Sequence, residues 1–329
     1  MFHYTSKDLS VPEIYKLLLG GVAPRPIALV STMSPDGKNN LSPFSFFNVF
    51  GANPPMLAFS PSRRGKDASL KDTYNNLITT NECVVQVVTY SMVGQINLAS
   101  TEYLSDVDEF IKSGLTPIDS DIVKPRRVKE SPFQMECKLV EMKSYGDKGS
   151  SANMAICEIL KLHVAEDIFT NGIIDPRKID LVARMSGRFY CRANGAAIFS
   201  VQRPQSKSNI GYDQLPEFIK SSNIYSANNL AQFGNIESIP DMNSVDEFID
   251  SFDKMDTEGF ELSEEAFYRY QRLSNYNYMM KSALAFAKQN HPKLKLYIEL
   301  SAKCALENDD KEFAWKAALS EKKFVNNSI

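Results

Sequence analysis

Between Ser60 and Asn76 the sequence gathers the groups that hold a small anion. Ser60, Arg63, Arg64, Lys66, Lys71 and Thr73 bring hydroxyls and fixed cations into one short stretch. A phosphate is bound by donors that converge from main-chain N–H groups, hydroxyls and cations. The spacing predicts a strand, a loop and then a helix whose amino end meets the anion. A solvated basic loop has the same composition, so the cluster alone leaves both readings open. Just upstream, Ser42-Pro43-Phe44-Ser45-Phe46-Phe47-Asn48 offers two hydroxyls, main-chain N–H groups and aromatic surface. Those groups suit a planar, partly polar ring such as a flavin, although a barrel strand with ordinary core phenylalanines reads alike. Taken together the stretches suit a planar ligand that carries a phosphate.

Bulk properties narrow the setting. With 329 residues, 43% hydrophobic and 23% charged, the chain can bury a large core and resembles neither a disordered nor a fibrous protein. A net charge of −3 argues against wholesale binding of nucleic acid or anionic membrane, both of which need a basic surface. No apolar run approaches the ~20 residues that cross a bilayer. The first residues lack a secretory pattern. The expectation is a cytoplasmic protein without nucleic-acid or membrane partners. The five cysteines are scattered, with no C-x-x-C pair, and read as buried free thiols; a disulfide or metal set is the alternative. Only His3, His163 and His291 are present, so no multi-histidine metal centre is expected.

The elements that must position these groups are mostly strands. Residues 8–20 read as a helix capped by Ser10, with Pro12 in its first turn. Strand-like runs follow at 26–32, 41–47, 55–60, 82–90, 132–144, 153–166 and 196–203. Turn signals at Asp36-Gly37, Gly146-Asp147 and Asn194-Gly195 separate several of them. Many strands with short gaps predict an antiparallel barrel or sandwich rather than parallel winding. A helix is expected over 67–79 and short helices between 91 and 114. Three regions follow: a β domain over 1–204, a connecting segment with short helices over 205–260, and an α-helical extension over 261–329. In the last, one helical segment runs from Ser263 to about Gln289, a second from Pro292 to Ala305, and a third from Asp310. This tail reads as a docking or dimer-covering element, with an independent binding module as the alternative.

The order of the motifs adds a resemblance. Pro24-Arg25-Pro26-Ile27-Ala28-Leu29-Val30-Ser31-Thr32, Asn40-Leu41-Ser42-Pro43-Phe44-Ser45-Phe46-Phe47, Pro54-Pro55, Lys71-Asp72-Thr73 and Asn76 together resemble the flavin reductase-like family. Glu109-Phe110 with Gly114-Leu115-Thr116-Pro117, Glu136-Cys137-Lys138-Leu139, and Val182 to Gly187 with Tyr190 fit the same pattern. Less specifically, Leu215-Pro216 to Asn228-Asn229-Leu230 is similar to extended members of the family. The resemblance implies a mainly β, antiparallel Greek-key split barrel (the FMN-binding split barrel) with peripheral helices, here with an α-helical C-terminal extension. It implies a homodimer with FMN held near the subunit interface. Carried over, Ser45, Phe46, Phe47 and Asn48 line the ring, while Ser60, Arg64, Lys66, Lys71, Thr73 and Asn76 serve the phosphate end. Ser31 and Thr32 touch the ribityl chain or ring, and Asn97 reaches in from its helix. Arg25 stands in a marker tripeptide without an evident role. The family often has Gly-Gly where Ser186-Gly187 stands here.

The function expected is an NAD(P)H-dependent flavin reductase, an oxidoreductase that moves hydride from NADH or NADPH to FMN N5. Reduced flavin then passes to an acceptor or an oxygenase. Such chemistry resides in the cofactor and needs no side-chain acid or base, which fits the absence of a triad or carboxylate pair. His163 is the one catalytic candidate, and a hydrogen-bonded strand histidine reads the same way. A flavin-binding electron carrier or sensor that nicotinamide does not reduce is the alternative, and an interaction scaffold worked by the helical tail is a third reading.

Overall fold

The structure is a computed structural model that describes residues 1–201, 203–204, 208–256 and 258–325. Helix α1 (Val11–Gly21) starts where Ser10 and Glu13 cap one another: the Ser10 N–H and hydroxyl donate to the Glu13 carboxylate at 2.8 and 2.6 Å. This capping box, with Pro12 in the first turn, fixes the helix start. None of the helix's residues is buried.

The strands that follow build one large sheet and three small ones. They are β1 (Arg25–Pro26), β2 (Ala28–Met33), β3 (Asn39–Phe44), β4 (Phe47–Ala52), β5 (Pro55–Phe59) and β6 (Glu82–Gln86), with helix α2 (Asp72–Thr80) ahead of β6. Helices α3 (Val93–Ala99) and α4 (Glu109–Ser113) lead to β7 (Pro117–Ile118) and β8 (Arg127–Val128). Next come the long strands β9 (Phe133–Ser144) and β10 (Asn153–Val164), then β11 (Phe169–Thr170) and β12 (Ile173–Ile174). Helix α5 (Pro176–Ile179), β13 (Val182–Arg184) and β14 (Tyr190–Arg192) complete this part. The large sheet is antiparallel throughout, in the order β3-β2-β6-β9-β10-β5-β4; β1-β13-β14, β7-β8 and β11-β12 form the small sheets.

Burial along β2 explains the architecture. Residues Ala28 to Thr32 are all buried, so both faces of the strand are covered. Its period of two sends Ala28 and Val30 into one core, with Phe44, Leu57, Phe59, Val85 and Cys137. Leu29 goes to the other core, with Leu41, Met92 and Ile96. The second core is closed by α3 and α4. Edge strand β3 is protected as well: the Leu41 N–H donates to the Glu109 carboxylate at 3.0 Å, which occupies a donor that an edge would otherwise expose.

Several expected boundaries move, each for a local reason. The run at 41–47 breaks at Ser45-Phe46, so that β3 ends and a separate strand, β4, begins. The helix expected over 67–79 starts only at Asp72. Ahead of it the Asp67 carboxylate accepts from the Ser69 N–H and hydroxyl, at 2.9 and 2.6 Å, and such side-chain bonds divert the backbone from a helix. The run at 82–90 stops at Gln86. The run at 196–203 is no strand: a 3-10 turn covers Gly195–Ala197 and irregular chain follows, with Gln202 outside the described residues.

Chain contacts divide the molecule into two units, Met1–Phe199 and Ser200–Ile329. The second is helical: α6 (Glu217–Lys220), α7 (Ala227–Gly234), α8 (Met242–Ser251), α9 (Glu264–Arg272), α10 (Tyr276–Lys288), α11 (Leu294–Glu307) and α12 (Lys311–Phe324). The single segment expected from 263 to 289 is two helices, parted at Ser274 (φ 54°). Residues 205–207 and 257 of the expected connecting segment lie outside the described residues. Its Ile210, Leu215, Phe233 and Val245 share one core with Trp315. Trp315 Nε1 donates to the Phe233 carbonyl at 3.0 Å, which satisfies the polar end of a fully buried ring. Among the described residues no helix is long and apolar enough to cross a membrane.

Candidate functional site

The break between β3 and β4 frees Ser45 and Phe46 from the sheet ladder and leaves them on the rim of a cleft of about 370 Å³. Ser60 follows β5, and its N–H donates to the Phe46 carbonyl at 2.9 Å, which joins the two strand ends. Tyr15 of α1 meets the Phe46 ring edge-on at 6.3 Å. These two rings give the cleft aromatic surface.

The same cleft is also cationic. Arg63, Arg64 and Lys71 line it, with Ser62 and Gly65 from the same loop, Glu102 from the segment after α3, and Ser150 from the β9–β10 turn. That turn holds the loop in place: the Arg63 N–H donates to the Ser151 carbonyl at 3.0 Å and the Ser150 N–H to the Arg63 carbonyl at 3.3 Å. The approach needs a glycine, because a Cβ on Gly149 would lie 2.6 Å from the Gly65 carbonyl oxygen. Arg64 donates to the Leu70 carbonyl and pairs with Asp72 at 3.3 Å. Arg63 donates to the Ala68 carbonyl at 2.8 Å, while its Nε is buried without a partner. The Lys71 ammonium lies 5.7 Å from the Phe44 ring centroid. Burial lowers its pKa from the ordinary value and Arg64 adds to the effect, while Glu102 and Asp72 oppose it. No side chain caps the amino end of α2, where Lys71 is the N-cap residue, so its first N–H groups remain available to an anion.

Of the residues that the sequence points to, Ser45, Phe46, Ser60, Arg64 and Lys71 meet around this cleft. Four others lie in the interior behind it. The Asn40 amide donates to the hydroxyls of Thr32 and Thr73, both at 2.9 Å, and the Asn76 amide to Thr32 at 3.0 Å. The Ser31 hydroxyl donates to the Arg126 carbonyl. All four side chains are buried, and the Thr32–Asn40–Thr73–Asn76 network fastens α2 to β2 and β3. Phe47 packs against the sheet core. Asn48 accepts from the Val49 N–H at 2.9 Å and is exposed, as are Lys66 and Asn97.

Arg25 acquires a role that its sequence does not disclose. Its Nη1 donates to the Leu19 and Val22 carbonyls at 2.8 and 2.7 Å, and Nη2 to the Met185 carbonyl at 3.1 Å. One nearly buried guanidinium therefore closes the carboxyl end of α1 and ties it to the chain after β13. Ser45 stands 3.5 Å from its Nε, so the same group braces the cleft rim.

His163 does not line the cleft. Its Nε2 lies 2.6 Å from Glu136 Oε1. The Glu136 carboxylate, with no exposure, also accepts the N–H groups of Asp121, Ile122 and Val123 at 2.8, 2.6 and 2.9 Å. Burial raises its pKa, but the three N–H groups and His163 outweigh that and bring it down from 4.5 to about 2. Asp121, Glu136 and His163 offer atoms within 4.8 Å of one another. Asp121 is itself paired with Lys161, so the group is internally satisfied and acts as a lock on the 119–125 loop.

Sequence reasoning passed over Tyr15, Ser62, Glu102 and Ser150. Ser62 stands among the named loop residues, and its neighbours were signal enough; the other three arrive from distant segments.

Residues 20–180 match the flavin reductase like domain. A protein of Aquifex aeolicus is 37% identical over 193 residues, which cover 58% of this chain and 96% of that protein. Among solved structures, nitrilotriacetate monooxygenase component B from Bacillus cereus is 30% identical with a TM-score of 0.57, over 61% of this chain and 98% of that one. A protein with a split barrel domain from Shewanella frigidimarina is 25% identical with a TM-score of 0.52, over 61% of this chain and 100% of that one. Fold and cleft thus define a split-barrel flavoprotein of the oxidoreductase class. The chain belongs to the flavin reductase-like family.

Proposed function

We propose that the chain is an FMN-binding NAD(P)H:flavin reductase, and the observation that carries this is a cleft whose lining joins aromatic rings to cations. Tyr15 and Phe46 line it and meet edge to face. Arg63, Arg64 and Lys71 line it as well, and Lys71 is the N-cap residue of α2, whose amino end no side chain caps. A buried Arg63 Nε without a partner is a donor that a bound phosphate would satisfy. The volume falls within the range of small-molecule sites, so the residues fit FMN. Ser45 and Phe46 would hold the ring edge and face. Ser60, Ser62, Arg63, Arg64 and Lys71 would hold the phosphate end. Bound FMN supplies the hydride-accepting centre, N5. What the chain contributes is placement: the Arg25 brace fixes the rim, and the Thr32–Asn40–Thr73–Asn76 network fixes the helix that presents Lys71.

A homodimer completes this reading. Helix α1 buries none of its residues and exposes Val11, Leu17 and Leu18 beside Tyr15; Phe46, Val49 and Phe50 are exposed as well. A second copy laid on these apolar groups would supply the missing wall of the cleft. The Bacillus cereus relative is a component of a monooxygenase, which supports delivery of reduced flavin to an oxygenase.

The test is anaerobic addition of NADH, then NADPH, to protein holding stoichiometric FMN. Loss of the visible flavin band faster than for free FMN supports the reductase. A band that persists with both nucleotides refutes it and leaves a flavin carrier or sensor.

A further inference from the structure

We propose that Glu102 is an internal competitor for the phosphate-binding cations: its carboxylate opposes a phosphorylated flavin at Arg64 and Lys71, and it thereby sets how tightly that flavin is held. This rests on the reading of the cleft given above. Of the cations that line the cleft, Arg64 already faces two carboxylates. Asp72 lies 3.3 Å from Arg64 Nη2, and Glu102 lies 3.9 Å from Arg64 Nε. The two acids differ in their freedom. Asp72 is the first residue of α2, and its side chain is 31% exposed. Glu102 comes from the segment between α3 and α4, and its side chain is 61% exposed.

Position makes the second acid relevant to binding. Glu102 lines the main cleft together with Arg64 and Lys71, and all three also line a small polar pocket of about 30 Å³ with Ser100, Thr101 and Tyr103. An anion placed between the two cations therefore sits beside the Glu102 carboxylate as well. A phosphate dianion that leaves Glu102 in place feels like-charge repulsion across a few ångströms. If Glu102 moves out, the ion pair that it made with Arg64 is lost. Either way, the phosphorylated ligand forgoes part of the attraction that the cations offer. A ligand without the phosphate is indifferent to the acid. The acid thus makes the flavin phosphate easier to release than the cations alone would allow.

Glu102→Gln tests this, since glutamine keeps the shape and removes the charge, and an exposed position tolerates both it and Glu102→Ala. Binding of FMN and of riboflavin is measured by fluorescence titration on the full chain, together with FMN release by stopped flow. We expect both variants to bind FMN about five- to tenfold tighter, as removal of one charge a few ångströms from a dianion near a wet surface predicts. FMN release should slow in proportion, and riboflavin affinity should stay within about twofold. Unchanged or weakened FMN binding in Glu102→Gln overturns the proposal. Lys71→Ala, measured alongside, separates this from failure of the site itself. It should weaken FMN by roughly tenfold or more through loss of a charge-assisted contact while leaving riboflavin nearly unchanged. Equal losses for the two ligands overturn the phosphate assignment on which the proposal stands.

Discussion

Replacing Glu136 by glutamine removes the charge that holds the 119–125 loop while it keeps the side chain's shape. The carboxylate accepts three main-chain N–H groups and faces His163. A glutamine carbonyl can accept on one side only, so its amide must point at donors on the other. The size of the effect follows from the pKa. A fall from 4.5 to about 2 corresponds to about 3 kcal/mol at roughly 1.4 kcal/mol per pH unit. The sign is that of a depressed acid: the contribution is complete above the unfolded value near 4.5 and is lost as pH falls towards about 2. Trp315, the only tryptophan, lies in the helical unit, so its fluorescence reports on the wrong part of the molecule. Hydrogen exchange of peptides covering β9 and β10 is the suitable assay. At pH 7 Glu136→Gln should lower their opening free energy by about 3 kcal/mol, and the gap to the wild type should close as pH falls below 4. A gap under about 0.5 kcal/mol at pH 7, or one that persists at low pH, would refute the reasoning.

Two further outcomes follow from the loops and braces. Arg25→Ala strands three main-chain carbonyls and should destabilise the β unit by about 2–4 kcal/mol, with Arg25→Lys intermediate; urea unfolding followed by circular dichroism near 218 nm measures it, and a change below about 0.5 kcal/mol would count against the brace. Gly149→Ala puts a methyl 2.6 Å from the Gly65 carbonyl, so the cationic loop must shift. FMN affinity should drop about tenfold or more while the melting temperature falls by only a few degrees, and unchanged affinity would show that the loop does not depend on this contact.

Much of the architecture is legible in the chain because burial on both faces leaves a plain mark. The run Ala28 to Thr32 lacks alternation, and it is the strand covered on both sides. Ser10, Pro12 and Glu13 announce α1, and Asp310 announces α12. The site is only half legible, and helix geometry gives the reason. Lys71 and Thr73 stand two positions apart in the motif, but Lys71 is the extended N-cap residue ahead of α2 while Thr73 lies in its first turn. Lys71 therefore faces the cleft and Thr73 the interior, with Asn76 one turn further along beside it. Arg25 is opaque for another reason: its partners are carbonyls of Leu19, Val22 and Met185, which no side-chain pattern advertises. Glu136 stands in a strand, where an acidic residue ordinarily reads as facing solvent, and only the folded loop 119–125 shows what it holds. Glu102 and Ser150 reach the cleft from segments whose place depends on the whole topology.

The buried thiols have a consequence of their own. Cys83, Cys137 and Cys157 sit on β6, β9 and β10 without exposure, Cys304 is nearly as secluded on α11, and Cys191 alone is partly open. An alkylating reagent applied to the native molecule meets a single target. Every further adduct then marks a moment when a unit has come apart, and mass spectrometry of the tagged peptides says which one. The chain thus carries a separate clock for its sheet and for its helices, and the lifetimes of the two can be timed in one tube without adding a label by mutation.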